Sequence, residues 1–228
     1  MIDQIGFGKS SKPKDYQYSF AVLASHTKSL LDRLDIDSTI VLGHSMGGML
    51  ASRFALMYPS STTQLVLVNP IGLDNYLDYV EYKGTNFFYQ NELKKTSQDV
   101  KNYQQKFYYD GQWNDQYAAL TDFMVGQING PDKAHVVRVN AKTYDMIFTQ
   151  PVVTEFSHLS MPVSLILGTR DRTGPGRNWK KAGTNYELGR YDKLAKKMLS
   201  IIPNGTLYEL SGLGTCRILK ILNVLLRC

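Results

Sequence analysis

Gly43-His44-Ser45-Met46-Gly47 constrains this chain more than any other stretch. It follows a short apolar run, Thr39-Ile40-Val41-Leu42, and precedes a helix-like run, Gly48-Met49-Leu50-Ala51-Ser52-Arg53-Phe54-Ala55. A strand, a G-x-S-x-G turn and a helix in that order form a nucleophile elbow. The turn is so sharp that its serine must take a strained backbone geometry. Small residues two before and two after it keep the turning chain from clashing. The hydroxyl is thereby pushed clear of the sheet at the start of a helix, where the dipole and free N–H groups favour developing negative charge. The pattern nominates Ser45 as a nucleophile and demands a strand before it and a helix after it.

The flanking sequence supplies more of the same rhythm. Ser19 to Leu34 has helical spacing, with Phe20, Leu23, Thr27, Leu30, Leu31 and Leu34 on one side and Ser19 placed to cap the start. Leu65-Val66-Leu67-Val68-Asn69, Val163-Ser164-Leu165-Ile166-Leu167 and Thr206-Leu207-Tyr208-Glu209-Leu210 read as buried-type strands, and Tyr191 to Ile202 as a helix. Apolar strands alternating with helices predict an α/β fold, a parallel sheet covered by helices on both faces. Between Gly72 and Gln150 the rhythm breaks. That stretch holds most of the aromatic residues, from Tyr76 to Tyr144, and no strand pattern. It reads as a helical insertion, an apolar lid over a pocket.

The 228 residues suffice for one domain with a sizeable core, and 43% hydrophobic content argues against disorder. No apolar run approaches a membrane span, and Met1-Ile2-Asp3-Gln4-Ile5-Gly6 lacks the basic start and apolar centre of a signal peptide. The net charge of +6 raises nucleic acid as a partner. Its distribution weakens that reading: Lys193, Lys196 and Lys197 mark the solvated side of a helix, and Arg217, Lys220 and Arg227 sit in an acid-free tail. No nucleic-acid or membrane partner is expected. Both cysteines, Cys216 and Cys228, fall in that tail too, so no disulfide framework and no cysteine-based metal site is expected.

Four ordered features now resemble one family. Asp3-Gln4-Ile5-Gly6-Phe7-Gly8-Lys9-Ser10 is similar to the D-x-x-G-x-G-x-S loop of α/β-hydrolase fold proteins, and Gly43 to Gly48 resembles their elbow. Asn69-Pro70-Ile71-Gly72 resembles the exit of the next strand into a helical cap, and Leu167-Gly168-Thr169-Arg170-Asp171-Arg172-Thr173 resembles the strand-end loop carrying the triad acid. The resemblance implies a capped serine hydrolase, with residues 1–72 and 151–214 as core and 73–150 as cap. It implies Ser45 as nucleophile, Asp171 as the acid orienting a catalytic imidazole, and the N–H of Met46 as one oxyanion donor. Serine, acid and histidine follow in that order in this fold. His44, beside the nucleophile, reads as structural. The chemistry implied is acyl transfer to Ser45 from an apolar or aromatic ester-like small molecule, with no metal or organic cofactor. Hydrolysis of a carbon–carbon bond beside a carbonyl is the second enzymatic option, and a non-catalytic ligand-binding protein the alternative.

Two departures qualify that expectation. The family begins with several strands before the Asp3 loop, one of whose turns gives the second oxyanion N–H; roughly the first quarter of a typical member is missing here. The family also places its histidine just after the last strand, whereas Ser211-Gly212-Leu213-Gly214 leads to Thr215. His26, His44, His135 and His158 all fall elsewhere. Codons permitted for residues 214–222, read one base earlier, include His-Met-Pro-His-Ile-Glu-Asp-Phe, close to what the family carries there. Residues 215–228 therefore read as out-of-frame translation, the alternative being a divergent natural C-terminus whose Ile218, Leu219, Ile221, Leu222, Leu225 and Leu226 allow an amphipathic helix. The chain as written is expected to be inactive.

Overall fold

The computed structural model describes residues 2–109 and 111–213. The aberrant tail expected at 215–228 lies outside the described residues. The chain forms two compact units. One joins the residues up to Tyr18 with Lys83–Met146; the other joins Ser19–Tyr82 with the described residues from Ile147 onward. The divisions thus fall at 18/19, 82/83 and 146/147.

The second unit is built on a sheet of four parallel strands in spatial order β1-β2-β3-β4: β1 Thr39–His44, β2 Thr62–Val68, β3 Val163–Gly168 and β4 Gly205–Leu210. Parallel neighbours need crossovers rather than hairpins. Helix α2 (Met46–Met57) makes the first, and α7 (Tyr191–Leu199) the last. The long excursion falls between β2 and β3, where sequence periodicity fails. Helix α1 (Phe20–Arg33) starts as expected, with the Ser19 hydroxyl accepting a hydrogen bond from Val22 N–H at 3.1 Å. Phe20, Leu23, Ala24 and Leu31 are buried. Leu34 is not, contrary to the periodic reading, because it follows the last helical residue and its altered backbone no longer continues the apolar stripe. On α7, Tyr191, Leu194, Ala195 and Met198 turn inward while Lys193, Lys196 and Lys197 face solvent.

Coverage of the sheet is uneven. Ala24, Leu31 and Phe54 form a core beneath β1 with Val41, Leu50 and Tyr58 against it. Leu65, Leu67, Val163 and Leu165 are fully buried. The alternate residues of β1 point the other way, and Ile40 and Leu42 stay 59% and 52% exposed among the described residues.

In the other unit, the described residues of 83–146 form four helices and the loops between them, with no strand: α3 (Thr85–Lys94), α4 (Ser97–Phe107), α5 (Asp115–Asn129) and most of α6 (Lys133–Thr149). Helix α4 opens with a capping box, Thr96 and Asp99 each bonding the other's backbone N–H. Tyr109 stacks on Tyr117 at 3.9 Å between ring centres, and Phe88 on Tyr144 at 5.2 Å. The N-terminal loop closes on itself. Asp3 accepts from Lys9 N–H through its carboxylate at 3.0 Å and from the Ser10 hydroxyl through its carbonyl at 2.7 Å. Gly8 has φ +50°, and a Cβ there would strike the Asp3 carboxylate at 2.3 Å. No helix among the described residues is long and apolar enough to cross a membrane.

Candidate active site

Ser45 occupies the single residue between β1 and α2, with φ 53° and ψ −123°. A non-glycine residue rarely adopts such a backbone, and it persists only where surrounding bonds over-determine it. Those bonds are present. Ser45 N–H donates to Val68 O at 3.3 Å, while Ser45 O accepts from Gly48 N–H at 2.9 Å and Ile71 N–H at 3.2 Å. The residue is clamped to the end of β2 and the loop beyond it. Serine at a helix N-cap ordinarily spends its hydroxyl on a first-turn N–H. Ser45 makes no such side-chain bond. Its hydroxyl is left over for another use, at the end of a helix whose first N–H groups, beginning with Met46, have no intrahelical acceptor.

The glycines explain the close turn, with one shift from expectation. A Cβ at Gly43 would lie 2.3 Å from Gly47 O and 2.7 Å from Ala51 Cβ. At Gly48 it would lie 2.5 Å from Pro70 Cβ, whereas at Gly47 it would meet nothing within 4 Å among the described residues. The second tight position is therefore Gly48 rather than Gly47, because the first turn of α2 packs against Pro70.

Asp171 lies in the loop after β3 and is 0% exposed. Its N–H donates to Gly168 O at 3.0 Å, and its Oδ1 accepts from Thr173 N–H at 2.7 Å. Arg172 Nη1 reaches the Asp171 main-chain carbonyl at 2.7 Å. The strands are parallel, so Ser45 and Asp171 leave the same edge of the sheet. His158 does not: it ends a short helical turn before β3, exposed, and the strand itself puts about 20 Å between its two ends. His26 on α1 and His135 on α6 are also exposed. His44 closes β1. Burial pushes its imidazole pKa down, opposed by the nearby charge of Asp171, and its Nε2 has no hydrogen-bond partner among the described residues.

Asn69 connects the two loops, and the sequence reading did not assign it a role. It sits just past β2 with φ 37° and is buried. Its N–H donates to Ile166 O at 2.9 Å, and its Oδ1 accepts from Gly168 N–H at 2.7 Å. A continuous path of hydrogen bonds and backbone thus runs from Ser45 through the end of β2 to the root of the Asp171 loop. The one signal in sequence was its place, an Asn-Pro directly after a buried strand.

The sequence model of the alpha/beta hydrolase fold matches residues 1–178. The chain belongs to that family. Among curated proteins, the alpha/beta hydrolase chain is 37% identical over 71 residues to a 2-hydroxymuconate semialdehyde hydrolase of Pseudomonas sp. (strain CF600). It is 38% identical over 74 residues to the 1-acylglycerol-3-phosphate O-acyltransferase ABHD5 of Homo sapiens. Each match takes 31% of this chain, and they span 25% and 21% of those proteins. A probable hydrolytic enzyme from Pseudomonas aeruginosa PAO1, solved by crystallography, superposes with a TM-score of 0.92 at 41% identity, covering 99% of this chain and 74% of that one. A meta-cleavage product hydrolase from Pseudomonas fluorescens IP01 follows at TM-score 0.63 and 17% identity, covering 98% and 75%. At that identity the likeness speaks for the fold alone.

Proposed function

We propose that Ser45 is the nucleophile of an acyl-transfer site, Asp171 the carboxylate that orients an imidazole, and the N–H of Met46 one donor to the oxyanion. In this reading the Ser45 proton passes to the imidazole as Oγ bonds the substrate carbonyl carbon. The developing oxyanion is held by backbone N–H groups. The leaving group departs with a proton, and water releases the acid and restores Ser45. The observation that carries the reading is the backbone of Ser45, strained, clamped and leaving its hydroxyl uncommitted. Family membership and the hydrolase relatives support it. The aromatic residues between Tyr76 and Tyr144 favour an apolar or aromatic ester-like acyl group, and the 2-hydroxymuconate semialdehyde hydrolase among the relatives keeps carbon–carbon hydrolysis as a second substrate class.

The imidazole is the missing part in this reading: among the described residues only His44 lies at that edge, on β1 itself beside the nucleophile and read as structural, and no histidine follows β4 in the sequence. Loss of a triad base costs on the order of a million-fold in turnover. We therefore propose that the chain as written does not turn esters over, and that a histidine in place of Thr215 restores the reaction. The test is hydrolysis of p-nitrophenyl butyrate by the Thr215→His chain. The expected gain is about a hundredfold or more, the scale of a positioned general base, abolished by Ser45→Ala. The lack of a histidine after β4 supports a second reading, a ligand-binding protein without catalysis. A Thr215→His chain that folds and stays inert supports that one.

A further inference from the structure

We propose that the cleft between the loop after β3 and the start of α7 is an anion site for a phosphate-type dianion, free or as the phosphoryl group of a small molecule. The cleft is an open concavity of about 450 Å³ lined by Arg172, Arg177, Lys180, Glu187, Leu188 and Arg190. Four cations face one carboxylate. Asp192 adds a second acid, paired with Arg190 at 2.7 Å and reaching Arg172 at 3.9 Å. With both acids counted, two positive charges remain in surplus around one concavity. The N-terminus of the nine-residue α7 adds its partial positive charge at the same wall, where Arg190 is the N-cap and gives no side-chain cap bond.

A run of lysines and arginines is ordinarily a solvated surface. Here the walls are built, and the charges are held in place. Gly189 has φ +72°, and a Cβ there would lie 2.4 Å from Thr173 O; one at Gly174 would lie 3.0 Å from Leu188 O. Those two glycines let the segment before α7 lie directly on the loop after β3. The buried Asp74 pins that contact from below, accepting from Gly189 N–H at 3.2 Å and the Tyr186 hydroxyl at 2.7 Å. Tyr186 stacks on Tyr79 at 3.9 Å. The backbone on both sides of Lys180 is fixed, since Glu81 N–H donates to Trp179 O and Lys181 N–H to Tyr79 O, each at 2.9 Å, and the Lys180 ammonium donates to Tyr186 O at 3.3 Å. Arg172 is braced across the loop by bonds from Nη1 to Thr169 O and Asp171 O. Arg190 spends Nε and Nη2 on Asp192 and Nη1 on Glu187, so the guanidinium groups of Arg172 and Arg177 are the ones placed to meet phosphate oxygens in fork geometry, and the Lys180 ammonium adds a point charge. The cleft is larger than inorganic phosphate needs and has Leu188 in its lining, so it accommodates an organic stem as well.

The test is calorimetric titration of the full chain with inorganic phosphate at pH 8, where the dianion predominates, and at low salt. Saturable one-site binding is expected. Arg177→Gln with Lys180→Gln is expected to weaken it about tenfold or more, the scale of a lost charge-assisted hydrogen bond. The thermal midpoint without phosphate should stay unchanged, and Arg177→Lys with Lys180→Arg should retain binding. If the double variant loses its thermal transition, Lys180→Gln alone carries the comparison. Glycerol phosphate and vesicles of phosphatidic acid in phosphatidylcholine separate the sources. Soluble phosphates bound with no gain from vesicles mean a small phosphate; vesicles bound more tightly than glycerol phosphate, with the same sensitivity to the variants, mean a lipid headgroup. Absence of saturable phosphate binding, or binding indifferent to the glutamine variants, overturns the proposal.

Discussion

In the sheet unit the decisive positions are set by backbone. Gly43 is required by a carbonyl 2.3 Å from where its Cβ would be, Ser45 is clamped by three main-chain bonds, and Asn69 ties one strand end to the next. In the helical unit the described contacts rest on side chains: the stacked Tyr109 and Tyr117, Glu92 held by Lys95 and by Asn140 at 2.9 Å, and the Thr96–Asp99 box, whose side chains bond backbone N–H groups. Backbone constraint admits few residue types at a position. Side-chain pairs can be exchanged for others of similar size and polarity. A candidate site that needs a hydroxyl in one place therefore belongs on the first kind of scaffold.

Substitutions should separate the two constructions by size. Phe54 is buried under β1, and Phe54→Ala is expected to cost about 3–5 kcal/mol, read as a lowered urea midpoint. An equal loss on truncating exposed Phe123 of α5 would break the contrast. Next comes Asn69→Ala, which leaves Gly168 N–H without its acceptor and should cost about 1–3 kcal/mol by the same measurement. A cost below that range would mean the link between the strand ends is dispensable. Thr96→Ala removes one half of the capping box and should cost about 1 kcal/mol, with Thr96→Ser recovering most of it.

The smallest effect is a slope rather than an offset. Burial raises the Asp74 carboxyl above the ordinary carboxylate range, against the bonds from Tyr186 and Gly189 and the charge of Lys197, which lower it. Between about pH 3.9, the unfolded value, and the raised folded value, the native state holds a proton that the unfolded chain has released. That contribution is full below the unfolded value and lost as pH rises through the folded one. Glu155 and Asp192 are shifted down by Arg53 and Arg190 and work in the opposite sense. The difference between the parent chain and Asp74→Asn isolates the contribution of this carboxyl. The parent's urea midpoint should fall relative to the variant's as pH rises from 3 to 7, and parallel profiles would show that Asp74 does not titrate in this way.

Much of the sheet unit was legible because its signals are local. An alternation of apolar runs and caps located every strand and α1, and G-x-S-x-G located the turn, since a tight turn writes its demand into small residues. What was not legible depends on contacts far apart in sequence. Nothing near Gly48 announces Pro70, and nothing near Asn69 announces Gly168. The uneven cover of the sheet was hidden as well, because Ile40 and Leu42 read as buried whether or not anything lies on them. In the helical unit the aromatic residues announced packing without announcing partners, and Tyr109 and Tyr117 meet across a loop that periodicity cannot span.

The central claim is that Ser45 carries the reactive oxygen. Its most direct test is to treat the Thr215→His chain with a fluorophosphonate, which bonds an activated serine oxygen to phosphorus and releases fluoride, and to map the adduct by peptide mass spectrometry. The account predicts one adduct, on Ser45, absent from the Ser45→Ala chain. An adduct on another residue, or none on a folded Thr215→His chain, contradicts it.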